Sequence, residues 1–186
     1  MFGFALLALI VVVIFLGISS YNRLIGLKNQ VANAWKQIDV QLKRRHDLIP
    51  NLINTVKGAM NFEKDTLEAV VSARNKAITA STSGSVAATA AAETQLTGAL
   101  SRLLAVVEAY PDLKATGNVA QLQEELTGTE NKIAFARQFY NDSVASYNTR
   151  RQSFPAVLAA ASLGFGPIEL FNMPESEKEV PKVALR

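Results

Sequence analysis

The tripeptide Arg-His-Asp at residues 45–47 holds the only histidine of this 186-residue sequence beside a carboxylate. A histidine oriented by a carboxylate can act as a general base. Successive residues of a helix point about 100° apart, however, so Asp47 is badly placed to orient His46. We therefore assign His46 no catalytic role and expect it at the surface or at a helix boundary.

Other catalytic constellations are missing from the sequence. It has no cysteine, which excludes thiol nucleophiles, disulfides and thiolate metal sites. It contains no Glu-x-x-His pair for a di-metal bundle and no G-x-S-x-G, Walker or G-x-G-x-x-G motif. The sequence thus predicts a protein that is not an enzyme and needs neither a metal nor a cofactor.

Charged residues interrupt the apolar face of every predicted soluble helix. Heights along the bundle can be counted from the predicted turns near residues 60, 83 and 113. Arg45, Arg74, Glu93 and Glu130 then fall at nearly one height, and Arg137 lies about two turns from Glu130. Because a buried charge that loses its partner typically costs roughly 3–5 kcal/mol, we predict a layer of ion pairs and hydrogen bonds that fixes helix order and register. The alternative is that these long side chains reach the bundle surface. The predicted layer consists of Arg45, Arg74, Glu93, Glu130 and Arg137.

The basic run 43–45 is a weak signal for nucleic acid or anionic lipid. The net charge of the chain is only +3. Lys43 would lie roughly 35 Å along the helix from the end of the apolar stretch, several Debye lengths from a lipid surface. We predict a solvated face at Lys43 and Arg44, Arg45 in the core, and no nucleic-acid partner.

The first 18 residues contain no charged side chain and would span roughly 27 Å as a helix, about one hydrocarbon core. A cleaved signal peptide is the competing interpretation, but no basic segment precedes the run, and the run is long for one. We predict a retained anchor over residues 1–19. Arg23, Lys28 and Lys36 follow it, so the positive-inside rule puts the remainder in the cytoplasm and the N-terminus outside, at the cell membrane.

Four amphipathic helices follow from the apolar spacing. Helix 1 is predicted to continue from the anchor to Lys57, with a kink or lost hydrogen bonding at Pro50 and a stop at Gly58. The others are predicted near 61–79, from the alanines after the "STSGS" loop to about 109, and 119–151. Each has one apolar stripe, so we predict an all-α fold: an elongated antiparallel up-down four-helix bundle over residues 20–152, continuous with the anchor.

Residues 153–173 are apolar but broken by prolines and glycines, too broken for a second span. Two uses stay open: packing on the base of the bundle, or lying at the membrane surface or against a neighbouring subunit. Residues 174–186 are polar and predicted to be disordered.

Three stretches resemble the LemA family of bacterial proteins: "NQVANAWKQIDVQLKRRHDLIPNLINTVKGAMNFEKDTLEAVVSARNKA", "YPDLKATGNVAQLQEELTGTENKIAFARQFYNDSVASYN" and "FPAVLAAASLGF". The resemblance implies an N-terminal membrane anchor, a cytosolic antiparallel helical bundle and no known enzymatic activity. A magnetosome-associated branch of similar proteins hints at membrane organisation. The sequence departs from the family pattern near Met60 and Asn61, where an aromatic residue and a histidine are common.

The sequence therefore favours a non-enzymatic scaffold or adaptor at the cell membrane that associates with itself or with other membrane proteins. Leu6, Leu7, Ile10, Val13 and Ile14 are spaced to pack between neighbouring spans. Two alternatives remain. One is a bundle that binds a small ligand or lipid in a cavity around Arg45, Arg74 and Arg137, and the other is an envelope-stress or protease adaptor that uses the tail as a tether.

Overall fold

The structure, a computed structural model, describes residues 2–57, 63–111 and 117–172. Every regular element in these ranges is helical, so the predicted all-α class is confirmed. The predicted helix boundaries near Gly58 and Asn61 and the tail 174–186 lie outside the described residues.

The first helix, α1, runs over Phe2–Lys57, 56 residues without a break. Its first 18 described residues are all solvent-exposed, and among the described residues it is the one helix long and apolar enough to cross a membrane. Beyond residue 20 the spacing of apolar residues changes to one inward stripe, including Leu24, Val31 and Ile38. The helix remains unbroken at Pro50 and continues to Lys57, the last residue described before the gap at 58–62.

Helices α2 (Lys64–Thr82) and α3 (Val86–Glu108) are joined by a short turn. Gly84 has a φ of 73°, a conformation that a residue without a Cβ adopts easily, and the Ser85 hydroxyl caps α3 by accepting from the Ala88 N–H at 3.2 Å. Helix α2 ends three residues later than predicted. The hydroxyls of Ser81 and Thr82 donate to carbonyls three residues back, which supplies donors that the last helical turn otherwise lacks.

The fourth helix, α4, runs over Gly117–Gln152, and a short 3-10 helix follows at Ala156–Leu158. The chain forms two compact units. One unit comprises residues 1–38 and 136–170. The other comprises residues 39–135 and 171–186, and in it parts of α1 and α4 surround a core with α2 and α3. The fully buried residues of that core are Ile49, Leu52, Val56, Val70, Ala77, Leu96, Leu103, Val107 and Val119.

In the first unit, α4 holds the chain that follows it by its backbone. We call residues 165–170 the strap. The hydroxyl of Tyr140 donates to the carbonyl of Glu169 at 2.9 Å, and that of Tyr147 donates to the carbonyl of Gly166 at 2.8 Å. Burial raises the pKa of both phenols, so both stay protonated donors at neutral pH. The two tyrosines lie seven residues apart on α4, which puts their hydroxyls on one face of the helix, where both reach the strap.

Two more side chains of α4 complete this attachment. Asn148 bonds the backbone of Ile168 in both directions, as donor to its carbonyl at 2.8 Å and acceptor from its N–H at 3.1 Å. Arg151 Nε donates to the carbonyl of Phe165 at 2.8 Å. The ring of Phe165 is buried and meets that of Tyr21 at a centroid distance of 5.5 Å. The strap therefore packs on the helices of its own unit.

Candidate functional site

The most unusual feature of the second unit is a buried arginine. Arg45 follows Leu42 and precedes Ile49 on the inward stripe of α1, and 2% of its surface is exposed. The two preceding basic residues, Lys43 and Arg44, are exposed. An arginine almost never lies this deep unless its charge is paired, so its partners determine what the site can do.

Arg45 contacts two further helices through both terminal nitrogens. Nη2 pairs with the carboxylate of Glu93 on α3, and Nη1 lies 2.5 Å from Oε2 of Glu130 on α4 and 3.1 Å from Oγ1 of Thr97. Glu93 and Thr97 are four residues apart, which puts both on the same face of α3. Glu93 is buried, whereas the side chain of Glu130 is 45% exposed, so the cluster has one solvated end.

The expectation that His46 lies at the surface or at a helix boundary is wrong. It is 5% exposed in the middle of α1, and its Nε2 lies 2.8 Å from Oε1 of Glu93. An ionised carboxylate only accepts hydrogen bonds, so Nε2 carries the hydrogen. Glu93 thus accepts from Arg45 with one oxygen and from His46 with the other.

Arg74 on α2 binds backbone, whereas Arg45 pairs with carboxylates. Its Nε donates to the backbone carbonyl of His46 at 2.7 Å. In a regular helix that carbonyl would accept from the N–H of residue 50, but residue 50 is proline and has none. Arg74 therefore supplies the donor that Pro50 removes, which explains how α1 continues through this position.

The structure brings together Arg45, Glu93 and Glu130 in direct contact, and Arg74 reaches the same turn of α1 through the backbone. Arg137 is a half-buried residue of the other unit. We refer to Arg45, His46, Arg74, Glu93 and Glu130 as the charged cluster. That it fixes helix order and register stays a prediction.

Sequence reasoning missed the contributions of His46 and Thr97. His46 directly follows Arg45 on a helix that packs against two other helices in a bundle, and this position could have indicated that His46 is buried. For Thr97 the signal was the spacing of four from Glu93.

The electrostatics of the cluster favour the charged state of Glu93. Burial by itself raises the pKa of this carboxyl group. The hydrogen bond from His46 and the positive charges of Arg45 and His46 outweigh it, so the pKa of Glu93 lies below the ordinary value of 4.5. Arg74, facing from α2, and Glu130, from α4, are the other charged members of the cluster.

A lowered pKa in the folded state makes stability depend on pH. In acid the unfolded chain binds the proton first, so the contribution of Glu93 is complete above pH 4.5 and is lost as pH falls through the lower folded pKa. We expect the stability difference between the wild type and Glu93→Gln to narrow below pH 4.5 in thermal unfolding of the full chain followed by circular dichroism. Glu124→Gln, which changes an exposed carboxylate of α4, should follow the wild type throughout. A gap for Glu93→Gln that is constant down to pH 3 would contradict the assignment.

Chemically the cluster is suited to holding helices together. The lone histidine is buried and bonded to Glu93, and no group of three or more His, Asp or Glu suited to a metal ion occurs among the described residues. These features define a class: all-helical bundle proteins with a membrane-length apolar helix and an internal ion-pair cluster.

The chain belongs to the LemA family, because the sequence model of that family matches residues 34–185. The resemblance seen in the sequence is thereby confirmed. The chain is 26% identical to protein LemA of Metamycoplasma hominis over 166 residues, covering 88% of this chain and 74% of that protein. It is 22% identical to the magnetosome protein MamQ of Magnetospirillum gryphiswaldense over 175 residues, covering 82% of this chain and 64% of MamQ. The magnetosome protein MamQ 2 of Paramagnetospirillum magneticum matches to the same extent.

Proposed function

We propose that this protein is a non-enzymatic scaffold of the LemA type, anchored in the cell membrane by α1 and self-associating there, with its bundle in the cytoplasm. The observation that carries the proposal is the continuity of α1. Its first 18 described residues are exposed and, apart from Ser19, have no polar side chain, and the same helix runs on without a break to Lys57. One helix therefore carries both the apolar stretch and the inward stripe that begins at Leu24, which suits a protein that works at a membrane.

The state of the polar groups supports a non-catalytic role. General acid–base catalysis needs a titratable group within reach of a substrate. The lone histidine is instead buried against Glu93, and Arg45 is committed to two carboxylates. The similarity to a magnetosome protein is compatible with a role in organising a membrane.

Self-association and topology can be tested together, because the chain has no cysteine and single cysteines can be added freely. Ile10 lies on the face predicted to pack between spans, and Val12 lies on the opposite face of α1. In native membranes treated with oxidant, we expect Ile10→Cys to form disulfide dimers several-fold more than Val12→Cys. Only monomers at both positions would contradict self-association.

For topology, an impermeant maleimide applied to intact spheroplasts should label Gly3→Cys and leave Thr127→Cys unlabelled until the cells are opened. The opposite labelling would overturn the cytoplasmic placement of the bundle.

A groove in the second unit favours the alternative of a ligand-binding bundle. It has a volume of about 990 Å³, and Leu67 and Val71 lie in its wall with Lys57, Lys64 and Lys76. Glu68 also lies in this wall and pairs with Lys64 at 3.6 Å, so Lys57 and Lys76 are the cations that would face an anionic amphiphile. Its walls contain none of the three arginines around which the sequence predicted a cavity. Native mass spectrometry of detergent-extracted protein would reveal a retained small molecule if this alternative holds.

The tail on which the adaptor alternative depends lies outside the described residues.

A further inference from the structure

The segment between α4 and the strap has large apolar side chains pointing outward. Phe154 is 73% and Leu158 75% exposed, and Val157 and Leu163 are also about half exposed or more. The side chains that the same segment buries are the small ones of Ala156 and Ala160. A segment in water buries its largest apolar groups first, so this inverted arrangement indicates an apolar environment outside the protein. We call residues 154–163 the apolar loop.

Several backbone N–H groups of the apolar loop are paired inside the protein. Val157 donates to the carbonyl of Ser153 at 3.0 Å and Leu163 to that of Ala159 at 3.0 Å. Gly164, with a φ of 78°, closes the loop with a bond to Ala161 at 3.2 Å. Further bonds of this kind start from the N–H groups of Leu158, Ala159, Ala160 and Phe165. Internal pairing of backbone donors is what a lipid-exposed segment requires.

Contacts within the first unit place the apolar loop at the end of the candidate span. Gln30 bonds Ser143 at 3.4 Å and the rings of Trp35 and Tyr140 meet at 5.5 Å, so α4 runs back along α1 toward its apolar end. Two antiparallel helices have the same rise per residue, so the end of α4 at Gln152 lies at the height of about residue 21 of α1. A cavity lined by Ser19 and Arg23 together with Thr149 and Arg150 shows the same register.

The chain leaves and returns at this height. Phe165, just after the apolar loop, contacts the ring of Tyr21, which follows the last apolar residue of the span, Ile18, by three residues or about 4.5 Å. The headgroup layer of a bilayer is roughly 5–8 Å thick on each side. The loop therefore lies within reach of lipid wherever α1 crosses the membrane.

Charge at this height selects the lipid. Arg23 is exposed beside the end of α4, which carries Arg150 and Arg151 in its last turn. Basic residues near a bilayer surface favour anionic headgroups. We infer that the apolar loop inserts into the surface of an anionic bilayer next to α1, as a second membrane contact. This inference rests on the proposed membrane anchorage of α1.

The test uses the full chain in vesicles of phosphatidylcholine and phosphatidylglycerol with doxyl-labelled phosphatidylcholine as quencher. Single cysteines at residues 12, 40 and 158, replacing Val12, Val40 and Leu158, carry an environment-sensitive fluorophore. Val40 is a matched control because it is apolar and exposed but lies about 33 Å beyond the span. We expect blue-shifted emission and quenching at position 158 approaching that at position 12, and several-fold above that at position 40.

Three results would overturn the inference. Quenching at 12 with water-like, unquenched emission at 158 would remove the apolar loop from the membrane and leave the anchor intact. Emission at position 158 could be blue-shifted but not quenched. If that blue shift is lost when the protein is diluted with empty vesicles, a second copy covers the apolar loop in place of lipid. No quenching at either 12 or 158 would overturn the inference and the proposed anchorage together.

Discussion

Replacing Arg45 by methionine should lower the free energy of unfolding by about 3–5 kcal/mol, the usual cost of breaking a buried ion pair from one side. Methionine fills much of the volume but leaves the buried carboxylate of Glu93 without its cationic partner. The measurement is denaturant unfolding of the full chain in detergent micelles, followed by circular dichroism. Arg45→Met together with Glu93→Met should recover part of the loss, because it also removes the buried carboxylate that Arg45→Met leaves without its arginine. Recovery is incomplete because His46 then lacks the acceptor that Glu93 supplies.

The neighbouring residue provides a matched control for this substitution. Arg44 has the same side chain one position earlier, but it is 52% exposed, and its Nη2 lies 3.8 Å from Oε2 of Glu125. An exposed pair of this kind contributes about 0–1 kcal/mol. Equal effects of Arg44→Met and Arg45→Met would show that the buried cluster contributes nothing special to stability.

Removing the side chain of Arg74 should destabilise the bundle more when residue 50 is proline than when it is alanine. Arg74→Met leaves the His46 carbonyl without a donor, and we expect a loss of about 1.5–3 kcal/mol, typical of a hydrogen bond from a charged group. Pro50→Ala restores the helical N–H and removes the steric conflict of the proline ring, so it should itself be stabilising. In that background Arg74→Met should cost less than 1 kcal/mol, about the value of an ordinary hydrogen bond.

A double-mutant cycle in the same unfolding assay measures this coupling directly. Lys76→Met, two residues away on α2 and exposed, controls for the loss of a positive charge. If Arg74→Met costs the same with proline and with alanine at position 50, Arg74 does not replace the missing donor.

The helices themselves follow from local sequence. Spacing of apolar residues predicted that α1 continues from the anchor through Lys57 and that α4 ends within one residue of Gln152, because an amphipathic stripe is a property of neighbouring residues. The error at the end of α2 has a local cause as well. Hydroxyls of Ser81 and Thr82 extend a helix that their residue types suggested would already have ended.

The cluster shows where such reasoning stops. The position of Arg45 on the apolar face of α1 predicted a buried charge. That position does not determine which carboxylates pair with it. His46 was misplaced for a related reason. Within the second unit α1 packs against more than one helix, so its buried face is wide enough to include two successive residues, and that width depends on the neighbours.

By itself the sequence determined that this protein is helical and that its N-terminal stretch is long and apolar enough to span a membrane. These conclusions need only composition and short-range periodicity. Tertiary structure alone decided which charges pair, that Arg74 compensates for Pro50, and that the apolar loop turns its large side chains outward. Each of these features depends on contacts between residues at least 14 positions apart or on which surface a neighbouring helix covers. A local sequence pattern contains neither kind of information.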